Sequence, residues 1–238
     1  MRYLDLTLPT LEENLALDEA LLLDAEANSG TEVLRLWEWS RPAVVMGSAC
    51  RLSEDVHEVA CRADAVPILR RASGGGTVLL GRGCLLYSMV LSFARSPDLV
   101  GVRGSYCYIL GTVRHALHGL LTEITCAGTS DLAASGRKFS GNSQQRKRRY
   151  LLHHGTILYA FAVAEVGRYL ALPIRRPDYR ADRDHDAFLT NLPATSAEIK
   201  QRLRSTWQAS EELREWPHDQ VRELARDKYA SQRWIRRR

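Results

Sequence analysis

Apolar residues recur at helical spacing over residues 10–28, then at alternate positions through several shorter stretches, so helix and strand patterns are interleaved. Thr10 and Glu13 form a capping box ahead of the first helix. Leu11, Leu15, Asp18 and Leu22 lie along one row, with Leu17 and Leu21 beside it, and Asn28-Ser29-Gly30 is the stop. Residues 33–39 and 43–47 read as strand, tight turn at Ser40-Arg41-Pro42, and strand. Residues 53–64 read as a short helix with Val56, Val59, Ala60 and Ala63 on one face. Residues 67–70 form a strand entering a turn at Ser73-Gly74-Gly75-Gly76. Residues 77–80 and 84–91 flank Gly81-Arg82-Gly83 as a hairpin. A second long helix spans 105–121, with Ile109, Val113, Ala116, Leu117 and Leu120 inward. Short strands follow at 131–134, 137–140 and 150–160, then a helix at 163–170 and a polar loop at 177–186. Helices fill 196–226, with Pro217 suited to a first helical turn. This mixture predicts an α+β (mixed α/β) domain: a largely antiparallel sheet flanked by helices.

The length of 238 residues suits one large domain or two small ones and can bury a core unaided. No apolar run approaches the ~20 residues of a membrane-spanning helix, and Pro9, Glu12 and Glu13 interrupt any leader-like stretch, so no membrane or secretory role is expected. Cys50, Cys61, Cys84, Cys107 and Cys126 are odd in number and none is spaced C-x-x-C. That argues against a disulfide scaffold and a zinc site, and points to a reducing cytoplasm. The formal net charge of +5 is partly local, in residues 146–149 and the tail 233–238. Such runs are solvated faces or attract an acidic partner. No aromatic residues are interleaved with them as a base-stacking surface requires, so nucleic acid is not expected.

The chain has neither G-x-x-x-x-G-K-[ST] nor G-x-S-x-G, which counts against P-loop and α/β-hydrolase chemistry. Residues 182–186 start like a calcium loop, but Ala187 and Pro193 stand where the turn glycine and closing glutamate belong. His115 and His118 share a helix face without an acidic partner motif and read as a surface pair. His153 and His154 lie in an apolar strand, so their rings point to opposite faces. No metal-ligand set is expected.

Two segments carry chemistry. In residues 70–78, two arginines precede three glycines at a strand end. Side-chain-free backbone lets N–H groups approach an anion, and the arginines supply forked donors. In residues 136–144, alternation along a strand turns Lys138 and Ser140 one way and Arg137 and Phe139 the other. A lysine there can neutralise charge that develops as a carboxylate attacks a phosphate.

Taken in order, these segments resemble the lipoate–protein ligase A and octanoyltransferase family, related in fold to biotin protein ligase and class II aminoacyl-tRNA synthetases. The resemblance runs over most of the chain. It includes residues 14–21, 34–37 with 44–47 as a first hairpin, the loop 70–76 with Leu86-Tyr87-Ser88, Asp131-Leu132, 136–141, 153–158, and 227–234. It implies a cleft for a medium-chain acyl group and its adenylate. Arg71 and the backbone of Gly76, Thr77, Val78 and Leu79 would hold the phosphates of ATP, with Mg2+ accompanying the nucleotide. Lys138 would contact the acyl carbonyl and the adenylate phosphate. Ser73 and Gly75 would shape the loop, and His154 would line the cleft.

The resemblance leaves the branch open. Ligases activate lipoate or octanoate with ATP and acylate a lysine of an acidic lipoyl carrier domain, such as glycine cleavage H protein or a dehydrogenase E2 lipoyl domain. Some transferases instead take octanoate from acyl carrier protein through a cysteine before the Gly-Arg-Lys block. Cys126 occupies that loop and is the alternative nucleophile, with Lys138 favouring its thiolate. It is closer to Lys138 than in those transferases, and Gly128-Thr129-Ser130-Asp131-Leu132 resembles the ligase version. Residues 1–238 are expected to be one catalytic domain without a C-terminal accessory domain. Either a separate subunit supplies adenylation, or the protein transfers a preformed acyl group. A silent paralogue that only binds lipoate is the remaining alternative.

Overall fold

In the computed structural model, residues 1–28, 30–121 and 123–237 are described. Ser29 of the helix stop and Arg238 of the basic tail lie outside them. The strands are β1 (Arg2–Asp5), β2 (Val33–Glu38), β3 (Ala43–Met46), β4 (Ile68–Arg70), β5 (Val78–Leu80), β6 (Cys84–Ser92), β7 (Thr125–Ala127), β8 (Asp131–Ala134), β9 (Arg137–Arg146), β10 (Tyr150–Leu158) and β11 (Glu211–Glu212). The helices are α1 (Leu11–Asn28), α2 (Leu52–Asp55), α3 (Glu58–Ala63), α4 (Val102–Ala116), α5 (Val166–Tyr169), α6 (His185–Phe188), α7 (Ser196–Thr206), α8 (His218–Leu224) and α9 (Gln232–Ile235).

An eight-stranded sheet runs in the order β11-β1-β2-β6-β10-β9-β8-β7. Its β1 is parallel to β2 and to β11, while the other pairs are antiparallel. A small sheet, β4-β3-β5, packs beside it. The expected mixed, mostly antiparallel sheet is the one observed. Alternation along the central β6 divides the core. Leu85, Tyr87, Met89 and Leu91 face α4 and α7, whereas Cys84, Leu86 and Val90 face α1 and the small sheet.

Thr10 and Glu13 cap α1 as expected: Thr10 Oγ1 accepts from the Glu13 N–H at 3.2 Å, and the Thr10 N–H donates to Glu13 Oε2 at 3.0 Å.

Several expectations are corrected. The two hairpins do not form, because β2 and β6 belong to the large sheet while β3 and β5 pair in the small one. The turns at Ser40-Arg41-Pro42 and Gly81-Arg82-Gly83 carry the chain between sheets. The helix at 53–64 is two short helices, with Cys61 buried and Val59 83% exposed, reversing the face expected for Val59. The long second helix starts earlier and ends at Ala116, with Leu120 only partly buried. Pro217 stands one residue before α8 rather than inside its first turn. The loop at 177–186 contains a turn at Asp178–Arg180 and the start of α6, whose Ala187 N–H is capped by Asp184 Oδ1 at 2.8 Å.

Candidate active site

The cleft lies where the large sheet meets the loop joining β4 to β5. A narrow apolar cavity of about 140 Å³ is lined by Leu15, Trp37, Val45, Leu80 and Leu86. It adjoins a wider chamber of about 460 Å³ lined by Arg175, Arg176, Arg180 and His185. Gly76, Thr77, Val78, Asp131, Lys138, Gly141 and Thr156 border both. Lys138 thus sits at the junction, its Nζ 2.7 Å from Asp131 Oδ1. Tyr179, from the loop above, donates to Asp131 Oδ2 at 2.7 Å. A bulge at Phe139, opposite Leu132 and Ala133, breaks the expected alternation: Ser140 turns with Phe139 toward the α4 side and not with Lys138, and Lys138 and Gly141 both border the cleft.

Strand register fixes the cleft floor. Arg35, Ser88, His154 and Ser143 pair in sequence across β2, β6, β10 and β9 and form a polar row. Trp37, Leu86, Thr156 and Gly141 form the next row toward the cavity. Asp18 of α1 sits on the polar row. It is bonded to Arg35 at 2.5 Å and to Ser88 at 2.7 Å, and lies 3.5 Å from His154 Nδ1. Burial pushes the Asp18 carboxyl up, but Arg35, His154 and Ser88 outweigh it, and its pKa falls below the ordinary carboxylate value. His154 Nε2 meets Ser73 Oγ at 2.5 Å. Its neighbour His153 points the other way, as expected. His153 is fully buried beside Tyr87 and Tyr106, and burial holds it neutral, down to about 3.

The glycine loop is shaped by Arg71. Its Nε donates to Ser73 Oγ at 3.0 Å, Nη1 to the Val45 carbonyl at 3.2 Å, and Nη2 to the Gly74 and Gly76 carbonyls at 2.6 and 2.8 Å. With those carbonyls turned inward, the N–H groups of Gly74, Gly75, Gly76 and Thr77 donate to no backbone carbonyl among the described residues. Gly75 has φ +79°, and its carbonyl lies so close to Gly47 that a Cβ there would overlap it. Arg71 is buried, with no carboxylate at salt-bridge distance among the described residues, and burial lowers it to about 10. The Thr77 hydroxyl is buried without a partner. Unpartnered donors around an uncompensated guanidinium fit a phosphate or another anion. Arg71 holds the loop through carbonyls rather than offering a free fork.

Of the residues expected at the site, Arg71, Gly75, Gly76, Thr77, Val78, Lys138 and His154 border the cleft. Leu79 borders only the wide chamber, and Ser73 lies beneath the loop. Cys126 is not brought in. It pairs with Leu132, whose side chain enters the core on the α4 side, so Cys126 faces away from the cleft. It is exposed, its neighbours are Arg114 and Cys107 rather than Lys138, and desolvation pushes its thiol up. The expected activation by Lys138 is therefore not what the structure places there. Asp18, Arg35 and Asn142 were missed. The signal available was a charge in an apolar helix row and another inside Val-Leu-Arg-Leu-Trp.

An apolar pocket opening onto a lysine and a loop of unpartnered N–H groups fits a ligase- or transferase-type catalytic domain. Residues 10–206 match the Lipoyl protein ligase A/B catalytic domain, and the chain belongs to that family of enzymes. Octanoyltransferase LipM of Carboxydothermus hydrogenoformans is 32% identical over 94% of this chain and 93% of its own length. A putative lipoate-protein ligase A of Aeropyrum pernix is 28% identical over 85% of this chain and 72% of its own. The structure of a bi-partite lipoate protein ligase from Thermoplasma acidophilum superposes with TM-score 0.83 at 20% identity, covering 99% of this chain and 95% of that one. A lipoate-protein ligase A bound with ATP gives TM-score 0.79 at 20% identity, covering 99% and 98%. The fold is that of lipoate–protein ligases.

Proposed function

We propose that this enzyme transfers a lipoyl or octanoyl group from an acyl-adenylate to a lysine of a lipoyl carrier domain. The observation that carries the reading is the position of Lys138 between the apolar cavity and the arginine-lined chamber. An acyl tail in the first and an adenylate in the second bring the mixed anhydride to Lys138 Nζ. The ammonium then neutralises charge on the carbonyl as the acceptor amine attacks, and on the departing phosphate. The free N–H groups of Gly75, Gly76 and Thr77 and the orphaned Thr77 hydroxyl suit phosphate oxygens. Mg2+ would enter with ATP, held mainly by phosphate and water. The net charge of +5 suits an acidic carrier domain. Likeness to a bi-partite ligase described together with its E2 lipoyl domain supports both that acceptor and a separate accessory subunit for adenylation. In this reading residues 1–238 form one catalytic domain, and the odd cysteine count supports a cytoplasmic location.

The relative named octanoyltransferase favours a second reading, transfer from an octanoyl thioester. The orientation of Cys126 counts against Cys126 as its nucleophile. Synthetic lipoyl adenylate and an apo lipoyl domain, followed by intact-mass spectrometry, test the first reading directly. Lys138→Met is expected to slow transfer by about 10²–10³-fold with the melting curve unchanged. A wild-type rate in that variant overturns the assignment. Octanoyl carrier protein without ATP, run in parallel, tests the second.

A further inference from the structure

We infer that Asp18 and His154 are positioning residues that set the shape of the anion-binding loop through Ser73 and Arg71. This rests on the reading of the loop as a phosphate site and adds what holds it in that form. With a neutral imidazole at His154, the hydrogens along the chain of contacts fall into one order. Asp18 accepts from Arg35 and Ser88, so the His154 nitrogen facing it carries the proton. The other imidazole nitrogen, Nε2, is then an acceptor, and the Ser73 hydroxyl donates to it at 2.5 Å. With its hydrogen committed, Ser73 Oγ offers its lone pair to Arg71 Nε at 3.0 Å. That bond fixes the guanidinium plane, and Nη2 gathers the carbonyls of Gly74 and Gly76. The N–H groups of Gly75, Gly76 and Thr77, residues that border the cleft, are left without a backbone partner among the described residues. The polar row supplies a second tie, since Ser143 Oγ donates to the Gly74 carbonyl at 2.8 Å.

His154 borders the cavity, so a direct contact with ligand is the competing explanation. The two differ in how losses combine. Links of one chain fail together, whereas separate ligand contacts multiply. They differ also in rescue. An amide carries a donor and an acceptor, so glutamine can reproduce the polarity of His154, and leucine cannot.

The test measures the Kd of a non-hydrolysable sulfamoyl analogue of octanoyl adenylate, and of inorganic pyrophosphate, for the full chain. His154→Leu and Ser73→Ala are each expected to weaken binding by about tenfold or more, the scale of one lost buried hydrogen bond. The double variant should bind no worse than the weaker single one, and His154→Gln should recover most of the affinity. Asp18→Asn should fall with His154→Leu. If loss of the Arg35 partner unfolds it, the His154 and Ser73 cycle carries the test, because both variants leave the Asp18–Arg35 pair intact. Multiplicative losses, or leucine and glutamine behaving alike, overturn the inference. Pyrophosphate held by a wild type that ignores the analogue counts against the acyl-adenylate reading and leaves the cycle measurable. A wild type that binds neither overturns both.

Discussion

Gly141 and Gly155 lie on neighbouring strands of the cleft floor, and alanine at the two positions is expected to have opposite effects. A Cβ on Gly141 would come within 2.7 Å of Lys138 Cε and Nζ. The obstacle is the end of a flexible side chain, so the lysine gives way and the backbone stays. Losing the partly exposed Lys138–Asp131 pair costs about 0–1 kcal/mol, and replacing a strand glycine returns roughly 0.5–1 kcal/mol. The net stays within about 1 kcal/mol, a Tm change of at most about 4 °C. Activity behaves otherwise under the role proposed for Lys138, because displacing a catalytic group by about 1 Å costs about 10²-fold. A Cβ on Gly155 would overlap the Asn142 amide and approach the Gly141 carbonyl to 2.9 Å. Neither can yield easily: Asn142 accepts from buried Tyr87 and donates to the Ser130 carbonyl at 2.8 Å. Overpacking of this kind costs about 1–3 kcal/mol. Thermal unfolding followed by circular dichroism, with lipoyl transfer followed by mass spectrometry, separates the two. A Gly141→Ala protein that keeps the wild-type rate, or that melts as early as Gly155→Ala, refutes the reasoning.

Other outcomes follow from buried charge. Glu19 is pushed up by burial, but Lys228, Gln145 and Tyr229 more than offset this, and its pKa lies below the ordinary 4.5. A depressed carboxyl stabilises the fold above its unfolded value, and that share is lost as pH falls through the folded one. Acid unfolding below pH 4.5 should therefore be shallower in Glu19→Gln, and an unchanged profile refutes the linkage. Arg35→Met strands the buried Asp18 charge and should cost about 3–5 kcal/mol by urea titration, with Asp18→Leu restoring much of it. Burial lifts the Cys84 thiol to about 12, so peptide mapping after iodoacetamide should find Cys107 and Cys126 alkylated and Cys84 spared. Cys126→Ser should transfer lipoate at the wild-type rate.

Periodicity was enough to find α1, β6, β10 and the mixed sheet, because their burial patterns are local. Whether consecutive strands pair is not local. Nothing in the apolar stretch at 84–91 says that it takes β2 and β10 as neighbours and leaves β5 to the small sheet. The glycine loop and Lys138 were legible because their residue types are chemically unusual in those positions. The direction of Cys126 was not, since it depends on a three-residue strand whose register is set by its partner. Asp18 and Arg35 were visible as misfits in apolar rows, but only the packing of α1 on the sheet shows that each answers the other and that His154 shares the carboxylate.

The parallel edge of the large sheet bears on how the molecule is made. The chain places β1 between β2 and β11, so Arg2 and Tyr3 wait for Glu211 and Glu212. Glu19 likewise receives Lys228 and Tyr229 only when residues near the far end are in place. On a ribosome α1 emerges early, meets Arg35 through Asp18 soon after, and finds the partners of Glu19 much later. The sheet edge and the Glu19 contacts therefore form only after residues 211–229 have emerged, and until then β1 and α1 stand exposed without part of their packing.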